Sequence, residues 1–212
     1  MQPLFSIGDA VSYGWGMTKK HFGFLVLFTL GFFIINVILG MASEAEEIPI
    51  LYKMLNVIVN YIGMFIFFRM GLMVYKGGDL QLSEVLDIDW RIFWLYFLSS
   101  ILTLLATLAG FILLVLPAIY IGVRLSFASF ALIDENLGPV DSLKRSWYLT
   151  RGHFWNLLGF SIVLGLINLV GFILLGVGLL VSTPLCLIAS VYVYHKLKGA
   201  LAVAPTAPAP VV

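Results

Sequence analysis

The chain has 212 residues, 61% of them hydrophobic and 11% charged, with a formal net charge of +1 and a mean hydropathy of +1.06. Soluble domains run at roughly 45–50% apolar and about 25% charged, so a surface this poor in charge cannot be solvated by water and the main solvent must be lipid. The single cysteine, Cys186, excludes an intramolecular disulfide, and no basic block of the nucleic-acid-binding kind occurs.

A membrane-crossing helix needs about 20 predominantly apolar residues. In chain order, six stretches qualify: His21–Met41, Ile50–Tyr75, Ile92–Leu116, Pro117–Ile133, His153–Leu175 and Leu179–His195. The third and fourth meet at a tight turn in "VLPAIY". Lys19 and Lys20 precede the first, but its apolar run is too long for a signal-peptide core, so it is read as a retained span.

Parts of the sequence recur. Shifted by 132 places, Trp15, Thr18, His21, Phe22, Leu25, Phe28, Ile35 and Asn36 meet identical residues, and Lys19 meets Arg151. Shifted by 61, eleven of the 22 residues from Phe93 to Leu114 meet identical ones, including "GFILL". Each unit reads as an amphipathic lead-in helix followed by two spans. In the first lead-in, "FSIGDAVSYGWGMTKK", Ser6 is placed to cap the helix, and Ile7, Val11 and Trp15 share one face. In the third, "GPVDSLKRSWYLTRG", Pro139 suits the first turn, and Val140, Leu143 and Trp147 form a stripe. The second, "LSEVLDIDW", is shorter and more acidic. Such helices are expected to lie in the headgroup plane with tryptophan at its edge.

Charge placement orients the chain. Lys19, Lys20, Lys76, Arg91, Lys144, Arg145, Arg151, Lys196 and Lys198 fall on one side of a six-span arrangement; "SEAEE" (Ser43–Glu47) and Lys53 fall on the other. The positive-inside rule then makes both termini cytoplasmic. Two spans per unit return the chain to its starting side, so the units are parallel repeats about an axis along the membrane normal. The expected fold is an all-α integral membrane protein of six transmembrane helices. It forms a single membrane domain over residues 1–198, with repeats about 1–75, 80–134 and 138–198. A disordered Ala/Pro-rich cytoplasmic tail covers 199–212.

No carboxylate lies inside a predicted span, which counts against proton- or cation-coupled carriers. No hydrolase, phosphate-loop or paired-cysteine metal pattern occurs. His21, His153 and His195 could be considered metal ligands, but two of them hold equivalent repeat positions beside aromatic and basic residues, and interfacial packing accounts for them. Trp15, Lys19, Lys20, His21, Trp147, Arg151 and His153 are therefore read as interfacial anchors, and neither a metal nor a cofactor is expected. Asn36 and Asn168, equivalent and within spans, are candidate interhelical polar contacts. Arg69 and Arg124, each ten residues before an acid (Asp79 and Asp134), are candidate contacts to lipid phosphate or another anion.

The stretch "VRLSFASFALIDENLGPVDSLKRSWYLTRGHFWNLL", with Arg124, "DENLGP", Ser146 and the "TRGHFW" step, resembles a largely uncharacterised family of bacterial polytopic membrane proteins. That family includes the membrane domain fused to membrane-anchored glycerophosphoryl diester phosphodiesterases. The opening "FSIGDAVSYGWGMTKKHF" and the closing Pro184 with "YVYHKL" extend the resemblance over residues 5–198. It implies an integral protein of the bacterial inner membrane. It carries over no phosphodiesterase activity, because this sequence has no soluble catalytic domain. The expectation is a non-catalytic scaffold or lipid-associated module, whose partners are membrane lipids, anionic ones among them, or another membrane protein, and not nucleic acid. The alternative is a permease or lipid transporter with a substrate cleft between the repeats.

Overall fold

The computed structural model describes residues 4–42, 50–78, 80–174 and 176–203. Among them every regular element is α-helical: α1 (Ile7–Lys20), α2 (Phe22–Ala42), α3 (Ile50–Tyr75), α4 (Leu82–Leu86), α5 (Trp90–Leu113), α6 (Val115–Leu125), α7 (Ala128–Glu135), α8 (Pro139–Leu149), α9 (Phe154–Ile173) and α10 (Leu179–Val203). The Glu44–Glu47 loop, Asp79 and residues 204–212 lie outside the described residues. Six stretches are long and apolar enough to cross a membrane, and α6 and α7 together make the fourth, Val115–Glu135.

Local chemistry sets the helix ends. Ser6 Oγ accepts the Asp9 N–H at 3.4 Å, and Lys19 and Lys20 occupy the last turn of α1, where cations suit the helix dipole. Asp89 Oδ1 accepts the N–H groups of Arg91 and Ile92 at 2.9 and 3.3 Å, starting α5. Pro139 opens α8 at its first position. Leu114 alone links α5 to α6, so Pro117 falls in the first turn of α6, where its missing N–H breaks no helical bond. α10 continues to Val203, past the Lys198 boundary read from the sequence.

The spans form two layers. α3, α6–α7 and α10 lie inside, with 39%, 50% and 56% of their most apolar 18-residue stretch buried. For α2, α5 and α9 the shares are 6%, 17% and 17%, and their apolar sides face outward. The lead-in helices fit between them. α1 packs on α10, α4 on α3, and α8 on α5, α6 and α7.

The lead-ins do not bury the face the sequence pattern picked out. Ala10, Gly14 and Thr18 of α1 are buried while Trp15 remains 45% exposed; in α8, Ser142 and Ser146 are buried with Thr150 just beyond, while Val140 and Trp147 are exposed. The physical reason is the solvent. Lipid accepts an apolar stripe as readily as the protein interior does, so close packing selects the small residues, which let backbones approach. A Cβ on Gly14 would sit 2.7 Å from the Leu185 carbonyl oxygen and 3.1 Å from Ala189 Cβ. The two stripes are also offset by 132, the spacing of the first recurrence.

The fourth span, expected as one helix, is broken at Ser126–Phe127. Helix α8 repairs the break. Ser146 Oγ donates to the Arg124 carbonyl oxygen at 2.8 Å and accepts the Phe127 N–H at 3.2 Å, and Thr150 Oγ1 reaches the same carbonyl at 3.2 Å. Non-helical backbone at membrane depth survives only where protein groups satisfy it.

Candidate functional site

The ends of the three inner helices converge on one charge cluster. Asp134 Oδ1 lies 2.8 Å from Lys76 Nζ, just past α3, and its Oδ2 lies 2.6 Å from Lys198 Nζ on α10. Tyr194, fully buried, donates its hydroxyl proton within this pair of acids, 2.8 Å from Glu135 Oε1 and 3.2 Å from Asp134 Oδ2. Arg145 of α8 closes on Glu135 at 3.0 Å. Beside the cluster the His195 ring stacks on Tyr75 at 4.1 Å with an interplanar angle of 3°. Tyr13 of α1 stacks on Tyr192 at 4.8 Å. Burial, and after it the neighbouring Tyr75 and Tyr192, push the Tyr13 hydroxyl above the ordinary tyrosine range, so it stays protonated. The Asp134 side chain is only 4% exposed; a buried carboxylate persists when cations and hydrogen bonds answer it, as they do here.

A cleft of about 400 Å³ adjoins this cluster, between α3 and the segment from α4 into α5. Its lining mixes apolar side chains, Phe65, Leu72, Met73, Ile92 and Ile133, with four charged ones, Arg69 and Lys76 from the α3 side and Asp87 and Asp89 from the segment leading into α5. Lys76 pairs with Asp134, and one oxygen of Asp89 caps α5. Among the described residues Arg69 has no acid within salt-bridge distance, although two carboxylates line the same cleft.

Arg124 sits elsewhere. It is 4% exposed, its guanidinium carbon lies 4.5 Å from the Trp147 ring centroid and 5.8 Å from that of Tyr120, and its Nε has no hydrogen-bond partner. The two arginines are thus not brought to one cavity: α8 covers Arg124 with an aromatic ring, and Arg69 faces an open cleft. Asn168 Oδ1 accepts the Ser182 hydroxyl across α9 and α10 at 2.8 Å, whereas the Asn36 amide donates to Phe32 O of its own helix at 2.9 Å. Lys19 lies over the Trp15 ring at 5.4 Å, Lys20 and Arg151 are exposed, His21 ends α1 and His153 precedes α9. No group of three His, Cys, Asp or Glu among the described residues could hold a metal ion.

The sequence reading used Lys76, Arg145 and Lys198 only to orient the chain and gave Asp134, Glu135 and Tyr194 no role. Their convergence joins residues about 60 positions apart, which no local pattern reveals. One signal was available: adjacent acids at the end of an apolar run need cations nearby.

Among the described residues all regular structure is helical and six stretches are apolar and of spanning length, which is the class of a multi-pass membrane protein. A family model described as a domain of unknown function (DUF7847) matches residues 15–212, and the chain belongs to that family. It is similar to the uncharacterised protein Rv2560 of Mycobacterium tuberculosis, with 25% identity over 240 aligned positions that cover 97% of this chain and 73% of the relative. The uncharacterised protein Mb2590 of Mycobacterium bovis matches with the same identity and coverage. No solved structure matches the chain.

Proposed function

We propose that the protein is a non-catalytic integral membrane module that holds a phospholipid, with the Arg69 cleft as its headgroup site. The observation that carries this is the Arg69 guanidinium, without an ion pair among the described residues, in the lining of a cleft that holds both apolar and charged side chains. An arginine at the centre of a span costs at least ~2.5–3.5 kcal/mol to insert, and a phosphate that meets its fork of donors would offset that.

Three parallel repeats would explain why this cleft is open. The lead-in of each unit lies on the second span of the unit before it, taken cyclically: α4 on α3, α8 on α6–α7, α1 on α10. The inner trio of second spans and the matched small stripes of α1 and α8 support the same arrangement. Helix α1 has 14 residues and α8 has 11, but α4 has five. The short lead-in leaves Arg69 without the ring that Trp147 lays over Arg124. The one-sided lysines and arginines support a cytoplasmic location for both termini. The resemblance to the membrane domains of membrane-anchored glycerophosphoryl diester phosphodiesterases argues for the bacterial inner membrane.

The test is identification of what co-purifies with the detergent-extracted protein by native mass spectrometry. Bound phospholipid in the wild type that falls about tenfold in Arg69→Ala supports the assignment, since hydrogen bonds to charged groups contribute about 1.5–3 kcal/mol. Equal lipid retention in the variant, with the fold intact, refutes it. A second reading, a permease or lipid transporter, draws on the position of the cleft between the first two units. Lipid movement across vesicles that depends on Arg69 would favour it.

A further inference from the structure

We infer that the cleft selects a zwitterionic phospholipid bearing a primary ammonium, such as phosphatidylethanolamine, over an anionic lipid; this rests on the cleft being a lipid site at all. The lining carries two cations, Arg69 and Lys76, and two anions, Asp87 and Asp89. A purely anionic headgroup would meet Arg69 but also two like-charged carboxylates. No ion pair joins Arg69 to Asp87 or Asp89 in the described chain, so the opposite charges stand apart within one cavity of about 400 Å³. A ligand with a phosphate and an ammonium separated by a short link answers both.

The partners already engaged narrow the assignment. Lys76 is held by Asp134, and Asp89 Oδ1 is held by the first turn of α5. Arg69 is left for the phosphate. Asp87, exposed at the end of α4, is left for the ammonium together with the second oxygen of Asp89. A primary ammonium offers three N–H donors to carboxylates, and a trimethylated one offers none. The cleft should therefore also discriminate against phosphatidylcholine. The apolar lining residues Phe65, Leu72, Met73, Ile92 and Ile133 give the acyl chains contacts that a free headgroup could not use.

The experiment delipidates the full chain and titrates it separately with phosphatidylethanolamine, phosphatidylglycerol, phosphatidylcholine and water-soluble glycerophosphoethanolamine, reading bound lipid by native mass spectrometry. The expected order places phosphatidylethanolamine about tenfold above phosphatidylglycerol and phosphatidylcholine, for one charge-assisted contact. Asp87→Asn, an exposed and nearly isosteric change, should erase that preference while phosphatidylglycerol binding holds or rises. Arg69→Ala should weaken every phospholipid alike. If wild type binds phosphatidylglycerol as well as phosphatidylethanolamine, or if Asp87→Asn keeps the preference, the selectivity falls and the lipid site stands. Binding of none of the three lipids overturns both, and so does glycerophosphoethanolamine binding as tightly as the intact lipid.

Discussion

Replacing Ser146 by alanine removes one oxygen atom and no volume to speak of, yet that oxygen repairs the break in the fourth span. Its side chain is fully buried, donates to the Arg124 carbonyl at 2.8 Å and accepts the Phe127 N–H at 3.2 Å. In Ser146→Ala the Phe127 N–H is left without its partner, at about 1–3 kcal/mol for an unsatisfied buried group. The carbonyl fares better, because Thr150 Oγ1 already stands 3.2 Å away and can turn its proton from the Ser146 carbonyl at 2.8 Å; that exchange adds about 1 kcal/mol at most. The sum is about 1–4 kcal/mol, measurable by reversible unfolding in mixed micelles titrated with SDS. The control is Ser161→Ala, an exposed residue whose hydroxyl back-bonds the Leu157 carbonyl of its own helix at 2.9 Å; it should change stability by less than about 0.5 kcal/mol. Hydrogen exchange adds a local readout, with the amide at Phe127 losing protection before its neighbours. A loss in Ser146→Ala no larger than the control's would refute the claim that α8 holds the break together.

The charge cluster gives a second expectation. Asp134→Ala leaves Lys198 and Tyr194 facing a gap and should cost about 3 kcal/mol, against less than about 1 kcal/mol for Lys76→Ala, whose side chain is 58% exposed and can rehydrate; equal losses in the same unfolding assay would contradict this. Gly14→Ala forces α1 off α10 and should cost about 1–3 kcal/mol, whereas Gly16→Ala, with nothing within 4 Å of its new methyl, should stabilise by up to about 1 kcal/mol; thermal unfolding of the pair decides it. On a Cys186→Ala background, a cysteine introduced by Ala45→Cys should react with an impermeant maleimide in intact cells, and one introduced by Thr206→Cys only after permeabilisation. The reverse pattern would invert the orientation.

The sequence made the long elements legible and their faces less so. Length and apolarity locate the six stretches because lipid imposes one constraint on every span. Ser6, Pro139 and the "VLPAIY" turn mark helix ends because capping is local chemistry. The pattern located the apolar stripes of the lead-ins but not the face that packs on protein, because hydropathy does not distinguish lipid from a protein interior. In lipid the informative residues were Ala10, Gly14 and Thr18, whose smallness carries no weight on a hydropathy scale. The break at Ser126–Phe127 was invisible because neither residue is a helix breaker; what permits it is Ser146, twenty positions later. Arg69 and Arg124 were singled out as expensive residues, yet nothing in their spacing told that one is covered by a ring and the other is not.

The charge cluster and the cleft share Lys76, and that sharing decides how the two can coexist. Lys76 is bound to Asp134 at 2.8 Å, and a phosphate beside Arg69 that competed for it would strip one cation from that carboxylate. Were Lys76 the only cation on Asp134, ligand binding would expose a buried carboxylate and loosen α3 from α7. Lys198 prevents this: it lies 2.6 Å from the other oxygen of Asp134 and 3.4 Å from Glu135. Tyr194 holds the same two acids from α10. The α7–α10 contact therefore survives the departure of Lys76, and only the α3 side, which bears Arg69, is free to adjust. A headgroup site can thus be built on the rim of the ion cluster without making the bundle depend on its occupant.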